Sequence, residues 1–423
     1  MRFTLSSFRW CALAAALLLA LPVLADDADA LKLEGAPVEA APAGARDTKI
    51  FLEAAVGNSS RRYQLGSQDI GRASLDFSHT FRLGHGLRVV LSDRIDHLYP
   101  DVAGSDATIN SLREAYVSWQ GEGGSTVVEF GRINLRYGSA YGYNPTDFFR
   151  DGSLRTLTSA NPFALRENRL GSVMLRAQRL WTDGSLSVAL SPKLASFPSR
   201  DGWSLDLGST NNRHRAVAAL GTQFSQRVST QLLAYKVDGL STTMGASLTA
   251  LLSDAATVQV EWSRGKEVDL FSQALGAPAP GVTRNRFAGG LTYTTSGKLS
   301  ITAEYQYNGF ALSKADAASL AANSPIGQVA YQIEAQRRQD LAARQAFLLY
   351  VTQKDFIVKD FDLTAFIRVN TGDRSRLAWL ELRRQWPSFD LAFQLQQTFG
   401  SITSEYGILP DRRVIQLLGT YYF

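Results

Sequence analysis

Cysteine is almost absent from this chain, which has one cysteine, Cys11, in 423 residues. A single thiol excludes intrachain disulfides and metal sites built from several cysteines. Histidine is scarce as well, and no cluster of histidines and carboxylates has the spacing of a metal site. The four histidines are His79, His85, His97 and His214. No spacing pairs one of them with a nucleophilic serine. We therefore expect no catalytic residues, no metal, no cofactor and no enzyme activity.

Long apolar runs are missing outside the N-terminus. Arg2 and Arg9 are followed by an apolar run from Cys11 to Leu21 and then by small residues. This order is typical of a secretory signal peptide, and we predict one over residues 1–25. The alternative is a transmembrane anchor, but the run is too short to cross a hydrocarbon core of about 30 Å as a helix. Residues 26–47 are rich in Ala, Asp, Glu, Pro and Gly, which predicts a flexible periplasmic lead-in.

From residue 48 onward, apolar and polar residues alternate. Between Leu299 and Tyr307, for example, every second residue is apolar or aromatic and the others are polar. A period of two is typical of a strand with one face in an apolar medium. We place about eighteen such strands, with a range of about sixteen to eighteen. No linker divides residues 48–423, so we predict one all-β unit, a closed antiparallel transmembrane β-barrel.

The lengths of the connections separate a barrel from a soluble two-sheet sandwich, which would also alternate. Along the chain, short turns alternate with connections that are mostly longer. The longer ones cover residues 58–70, 99–107, 136–168, 193–213, 265–283, 310–344 and 400–411. Barrels of the Gram-negative outer membrane have short periplasmic turns and long external loops. The pattern therefore predicts a multi-pass protein of the cell outer membrane, exported by its signal peptide.

The C-terminal residue is aromatic. Phe423 ends the chain, and Tyr421 lies two places earlier on the same strand face. This ending resembles the C-terminal signal that the barrel assembly machinery of the outer membrane reads. The resemblance implies that this machinery is a partner, through Tyr421 and Phe423. The other partners we expect are outer-membrane lipid, lipopolysaccharide and a small-molecule or polymer solute, with no nucleic acid.

The most distinctive motif runs from Glu129 to Arg150 and contains a Gly-Arg pair, several aromatics and Asn144-Pro145. It resembles outer-membrane barrels of the alginate-export type and a related uncharacterised barrel group. In the exporter, arginines line a constriction that conducts an acidic polysaccharide. The resemblance implies that role for Arg132, Arg136 and Arg150. The full set of constriction residues predicted here is Arg132, Arg136, Asn144, Asp147, Arg150, Arg166 and Arg169. An alternative stays open, in which the motif is a structural clamp with internal salt bridges.

Residues 313–345 break the alternation and predict short helices, with Ser313 as a possible N-cap. Two interpretations stay open for this segment. It is either a plug or lid over the lumen, or an external loop in which Arg337 and Arg338 meet the phosphates of lipopolysaccharide.

The leading functional prediction is a porin or substrate-selective channel for small solutes, with anions as a candidate class. One alternative is an exporter of an anionic exopolysaccharide. The other is a closed barrel with a scaffold or enzymatic role.

Overall fold

The computed structural model describes residues 47–63, 66–100 and 106–423. The predicted signal peptide and residues 26–46 of the predicted lead-in lie outside the described residues. The described chain forms one antiparallel sheet of eighteen strands that closes on itself, because β1 pairs with both β2 and β18. This confirms the predicted fold class and the predicted number of strands.

The strands follow the chain order around the barrel. They are β1 Thr48–Arg61, β2 Ser67–Gly84, β3 Leu87–Tyr99, β4 Thr108–Gln120, β5 Thr126–Ile133, β6 Ser172–Trp181, β7 Gly184–Ser191, β8 Arg215–Ser225, β9 Val228–Val237, β10 Thr243–Ser253, β11 Ala256–Glu267, β12 Val282–Thr294, β13 Leu299–Asn308, β14 Gln345–Gln353, β15 Phe361–Asn370, β16 Arg376–Trp386, β17 Phe389–Phe399 and β18 Asp411–Tyr422. The helices in the described residues are α1 Pro162–Glu167, α2 Leu207–Thr210, α3 Leu270–Ala274, α4 Lys314–Asn323 and α5 Pro325–Arg337.

Closure satisfies the backbone of every strand. β1 and β18 stay in register from Phe51, opposite Tyr422, to Ser59, opposite Val414. A closed sheet has no unpaired edge, which is the condition for strands to cross a hydrocarbon layer. No helix in the described part of the chain is long and apolar enough to cross a bilayer.

The two faces of the strands differ as the alternation predicts. On β14, Phe347 and Leu349 are exposed on the outer face, whereas Leu348 between them is buried inside. On β11, exposed Trp262 lies between buried Glu261 and Ser263. The apolar set therefore faces outward, and the polar set faces the lumen.

Short turns lie at one rim and most long connections at the other. The backbone N–H of Phe423 donates to the carbonyl of Ile50 at 3.1 Å. The start of β1 and the end of β18 therefore lie side by side at the short-turn rim. One predicted loop, residues 58–70, is shorter than expected because β1 continues to Arg61 and β2 begins at Ser67. Polar side chains on both strands hide the alternation there, but the backbone ladder continues, with Ser60 opposite Ser67.

The segment from residue 309 to residue 344 contains the predicted short helices α4 and α5. The Ser313 side chain accepts a hydrogen bond from the backbone N–H of Asp316 and caps α4, as predicted. We call residues 309–344 the helical hairpin.

Candidate functional site

The connection from β5 to β6, residues 134–171, folds into the barrel, and we call it the inner loop. Much of it is buried, including Tyr143, Thr146, Asp147, Phe149 and Ser153. It forms hydrogen bonds with residues of β2, β3 and β4 on one side and of β11, β13, β14 and β15 on the other. The inner loop therefore crosses the lumen and narrows it.

Glu261 on β11 is the first anchor of the inner loop. Its carboxylate accepts a hydrogen bond from the backbone N–H of Ala140 at 2.6 Å. It also accepts from the side chains of Asn144 at 3.1 Å and Thr146 at 2.8 Å. A buried carboxylate is costly unless donors surround it, so these bonds both stabilise the charge and hold the loop.

Glu304 on β13 is the second anchor. It accepts hydrogen bonds from three consecutive backbone N–H groups, those of Tyr141 at 2.6 Å, Gly142 at 3.1 Å and Tyr143 at 3.2 Å. Three successive amides that point at one carboxylate form an anion-binding concavity. Here the bound anion is a side chain of the barrel wall, and the result is a fixed loop.

Two glycines make this close approach possible. A Cβ atom on Gly138, whose φ is +90°, would lie 2.3 Å from Oε2 of Glu261. A Cβ atom on Gly142 would lie 2.4 Å from the side-chain nitrogen of Gln306. At Gly138 the positive φ also disfavours any other residue, and at both positions a larger residue would require side chains of the wall to move.

Asp147 joins the middle of the inner loop to its C-terminal end. Its carboxylate accepts a hydrogen bond from Arg169, and Nε of Arg166 lies 3.8 Å away. Burial alone would raise the pKa of Asp147, but Arg169 and Arg166 outweigh burial and hold that pKa below its usual range. The carboxylate is therefore ionised at neutral pH and pairs with both arginines.

Asp340 connects the helical hairpin to the inner loop. It accepts hydrogen bonds from the hydroxyl of Tyr143 at 2.6 Å and from Arg150 at 3.3 Å, both in the inner loop. Arg286 of β12 donates to its other oxygen at 3.1 Å. Burial opposes ionisation, but Arg286 and Arg150 outweigh it and hold the pKa of Asp340 well below its usual range. Hairpin, loop and wall thus share one ionised carboxylate.

The helical hairpin makes further contacts across the mouth of the barrel. Arg337 of α5 pairs with Asp151 of the inner loop at 2.9 Å. Gln328 donates to the carbonyl of Thr403, in the β17–β18 connection, at 3.1 Å. Arg338 pairs with Glu267 at 3.3 Å. Arg337 and Arg338 therefore both have carboxylate partners within the protein.

On the opposite wall the inner loop meets β2 and β3. Arg72 donates to the carbonyl of Thr158 at 2.7 Å, and the hydroxyl of Thr156 donates to Asp96 at 3.1 Å. At the wall formed by β14, β15 and β16, five aromatic rings pack together, with Tyr141 from the first half of the loop and Phe163 from its second half. They are Tyr141, Phe163, Tyr350, Phe366 and Trp379, with successive ring centroids 5.0 to 6.2 Å apart.

Glu405 lies in the connection from β17 to β18 and has an unusual environment. Its carboxylate accepts a hydrogen bond from the side chain of Asn370 at 2.9 Å, and its backbone N–H donates to Asp373 at 2.7 Å. Burial, assisted by the nearby carboxylate of Asp373, raises the pKa of Glu405 to about 7. This residue therefore changes its charge near neutral pH.

Comparison with known proteins identifies the architecture. No protein-family model matches the chain, and no curated protein matches it in sequence. Among solved structures, OccAB1 of Acinetobacter baumannii is similar over 89% of this chain and 96% of its own, with 10% identity and a TM-score of 0.57. OccK8 (OprE) of Pseudomonas aeruginosa is similar over 89% of this chain and 98% of its own, with 12% identity and a TM-score of 0.52. The chain shares their barrel fold.

Five of the seven residues predicted for a constriction come together in the inner loop. They are Asn144, Asp147, Arg150, Arg166 and Arg169. Each contacts other protein groups. For example, Arg166 donates to the carbonyls of Tyr137 and Gly138 at 3.2 and 3.1 Å.

The other two predicted residues lie apart from this group. Arg132 follows exposed Phe130 by two positions on β5, so it lies on the outer face of that strand. It is buried beneath the β7–β8 connection and donates to the carbonyls of Gly171 at 2.9 Å and Leu205 at 2.6 Å. Arg136 is exposed and forms no ion pair or hydrogen bond with residues in the described ranges.

The anchors on the wall were not predicted from the sequence. Glu261 and Glu304 fall on the polar positions of two strands, which predicts only that they face the lumen. Their shared signal is an acidic residue in the middle of an amphipathic strand. Glycines at 138 and 142, in a loop long enough to reach the wall, are the complementary signal.

Proposed function

We propose that this protein is an outer-membrane channel for small solutes that favours anions. The observation that carries the proposal is the inner loop, which is held across the lumen by Glu261 and Glu304 on one side and Arg72 on the other. A fixed loop inside a closed barrel limits the passage to small solutes. The barrel fold, which resembles those of the porins OccAB1 and OccK8, is consistent with this role.

Arg136 is the residue proposed to give the channel its preference for anions. It is exposed at the start of the inner loop and forms no close ion pair within the described ranges, although its charge also acts on the carboxylate of Glu114. A guanidinium stays charged at all relevant pH values and can donate two parallel hydrogen bonds to a carboxylate. The other basic residues of the loop carry less weight, because Arg150 and Arg169 are already paired.

Reversal potentials of the purified protein in planar bilayers, under a KCl gradient, test both parts of the proposal. A unit charge about 5 Å from a passing ion in water contributes about 0.8 kcal/mol. We therefore expect Arg136→Ala to lower the preference for chloride over potassium by about two- to fourfold, since salt screens part of this energy. Arg136→Lys keeps the charge and should retain the preference. Arg227→Ala, which removes an exposed charge at a periplasmic turn, is the matched control.

A closed barrel is the second candidate, and the contacts of the inner loop and the helical hairpin across the mouth favour it. Folded protein that gives no ion current and no liposome swelling would support the closed barrel and contradict the channel. Export of an anionic polysaccharide has less support. Two of the arginines that the alginate-export resemblance would place at the constriction, Arg132 and Arg150, are occupied by protein groups.

A further inference from the structure

The outer face of β8 to β11 carries a groove with a volume of about 320 Å³. Apolar side chains dominate its lining, including Leu220, Phe224, Leu232, Leu248, Val260 and Trp262. Ala246, a small residue, lies among these larger side chains. The groove is long: Phe224 is next to the short-turn end of β8, whereas Trp262 is in the half of β11 nearer the long-loop rim. This shape suits an extended hydrocarbon chain.

Basic residues continue the same outward face beyond the groove. Arg264 and Lys266 follow Trp262 at every second position of β11, and all three are exposed. Ala234 of β9 is level with Met244 of β10 and Arg264 of β11. Lys236, two residues after Ala234, is therefore on the outer face of β9 and level with Lys266. Two strand spacings separate Lys236 from Lys266, which is about 10 Å.

These three side chains have no carboxylate partner within the described ranges. Arg264 donates to the side-chain oxygen of Asn285 at 3.2 Å, and Lys236 donates to the carbonyl of Leu240. Arginines inside the barrel differ, since Arg94 and Arg286 each pair with more than one carboxylate. Three acids also lie at this rim. Asp238 lies beyond Lys236, Glu267 is paired with Arg286 and Arg338, and Asp269 caps α3, so the outward-facing patch itself stays positive.

We propose that this surface binds the lipid A part of lipopolysaccharide, with an acyl chain in the groove and a phosphate at Arg264, Lys266 and Lys236. The proposal rests on the outer-membrane location proposed above, which places the long-loop rim at the external leaflet. The order along the strand fits such a lipid, because the apolar groove lies deeper in the membrane than the basic residues. A second copy of the chain fits less well, since a two-fold interface would bring the two positive patches together.

Native mass spectrometry of the full barrel in detergent, titrated with bisphosphorylated lipid A or with its dephosphorylated form, tests the proposal. One basic side chain near an anionic surface strengthens attachment about fivefold. We expect Arg264→Ala with Lys266→Ala to weaken lipid A binding about thirtyfold. Ala246→Trp, which fills the groove, should weaken the binding of both forms of lipid A. The controls are Arg376→Ala with Arg413→Ala, at the same rim on β16 and β18, and Ala303→Trp on the outer face of β13.

Lipid A binding that is unchanged in the double variant, or equally reduced in its control, would overturn the phosphate assignment. Unchanged binding in Ala246→Trp would overturn the groove assignment. A dimer that forms without lipid and is lost in Ala246→Trp would show that a second copy occupies the groove. Arg264→Lys keeps the charge and should bind lipid A normally. Intact binding in this variant would show that the double variant loses binding through loss of charge rather than loss of folding. Conductance measured on the same preparations keeps this test separate from that of the channel.

Discussion

Glu261→Gln is the substitution that tests the inner-loop anchor most directly. It preserves the shape of the side chain but removes its charge and one of its two acceptor oxygens. Four hydrogen bonds reach this carboxylate, from Ala140, Asn144 and Thr146. The side-chain NH2 group that replaces one carboxylate oxygen cannot accept hydrogen bonds, so about two of the four are lost.

The expected loss of attachment follows from those bonds. A hydrogen bond to a charged group contributes roughly 1.5–3 kcal/mol, so two lost bonds weaken the attachment by about 3 kcal/mol. The barrel should stay folded, because its strand ladder is unchanged and Glu304 still binds its three amides. The population of detached loop should therefore rise about a hundredfold.

A thiol introduced at position 140 reports on detachment. Ala140 is only 2% exposed and packs against Tyr143 and Ala288, so a cysteine there reacts with a water-soluble reagent when the loop leaves the wall. The only natural cysteine, Cys11, lies in the predicted signal peptide. We expect the cysteine of Ala140→Cys to be labelled about a hundredfold faster when Glu261→Gln is also present than when Glu261 is retained. Glu381→Gln, a lumen change that leaves the loop contacts intact, is the control. Equal labelling rates in the two backgrounds would refute the anchor.

Three other outcomes are expected. The pKa of Glu405 is raised to about 7 by burial, so its ionisation destabilises the β17–β18 connection as pH rises from about 4.5 to about 7. Protection of that connection against hydrogen exchange, calculated relative to the intrinsic exchange rate at each pH, should be lower at pH 8 than at pH 5, and Glu405→Gln should abolish this difference in protection. Gly138→Ala should detach the inner loop through its clash with Glu261, with the same labelling readout, whereas Gly297→Ala, at a roomier turn, should not. Phe423→Ala should reduce the amount of protein assembled in the outer membrane; unchanged levels would exclude this residue as an assembly signal.

Most of the fold could be predicted from the sequence, because a strand between lipid and water reveals itself by its period of two. The eighteen alternating segments and the α4 cap at Ser313 depend on local patterns, and the β1–β18 pair follows because strands in a membrane leave no edge unpaired. The ends of β1 and β2 could not be predicted, since their backbone pairing continues where both strand faces are polar.

The site was harder to predict because its contacts join residues far apart in the chain. The motif identified Asn144 and Asp147, but their surroundings include Glu261 and the Arg169 end of the loop. Nothing local to the motif specifies which wall the loop reaches. The position of Arg132 was, however, readable: strict alternation places it on the same face as Phe130, and that face is the outer one.

The division of charges inside the barrel has a consequence for selectivity. Asp147 and Asp340 are paired with arginines, so their charges are largely neutralised, whereas the amides that bind Glu261 and Glu304 carry no net charge. Opposite charges in close contact produce little field at a distance in water. The field that a passing solute meets is therefore set mainly by groups outside these arginine–carboxylate pairs, such as Arg136. Selectivity and loop attachment should then respond to different substitutions, and a change at Arg136 should alter the first without the second.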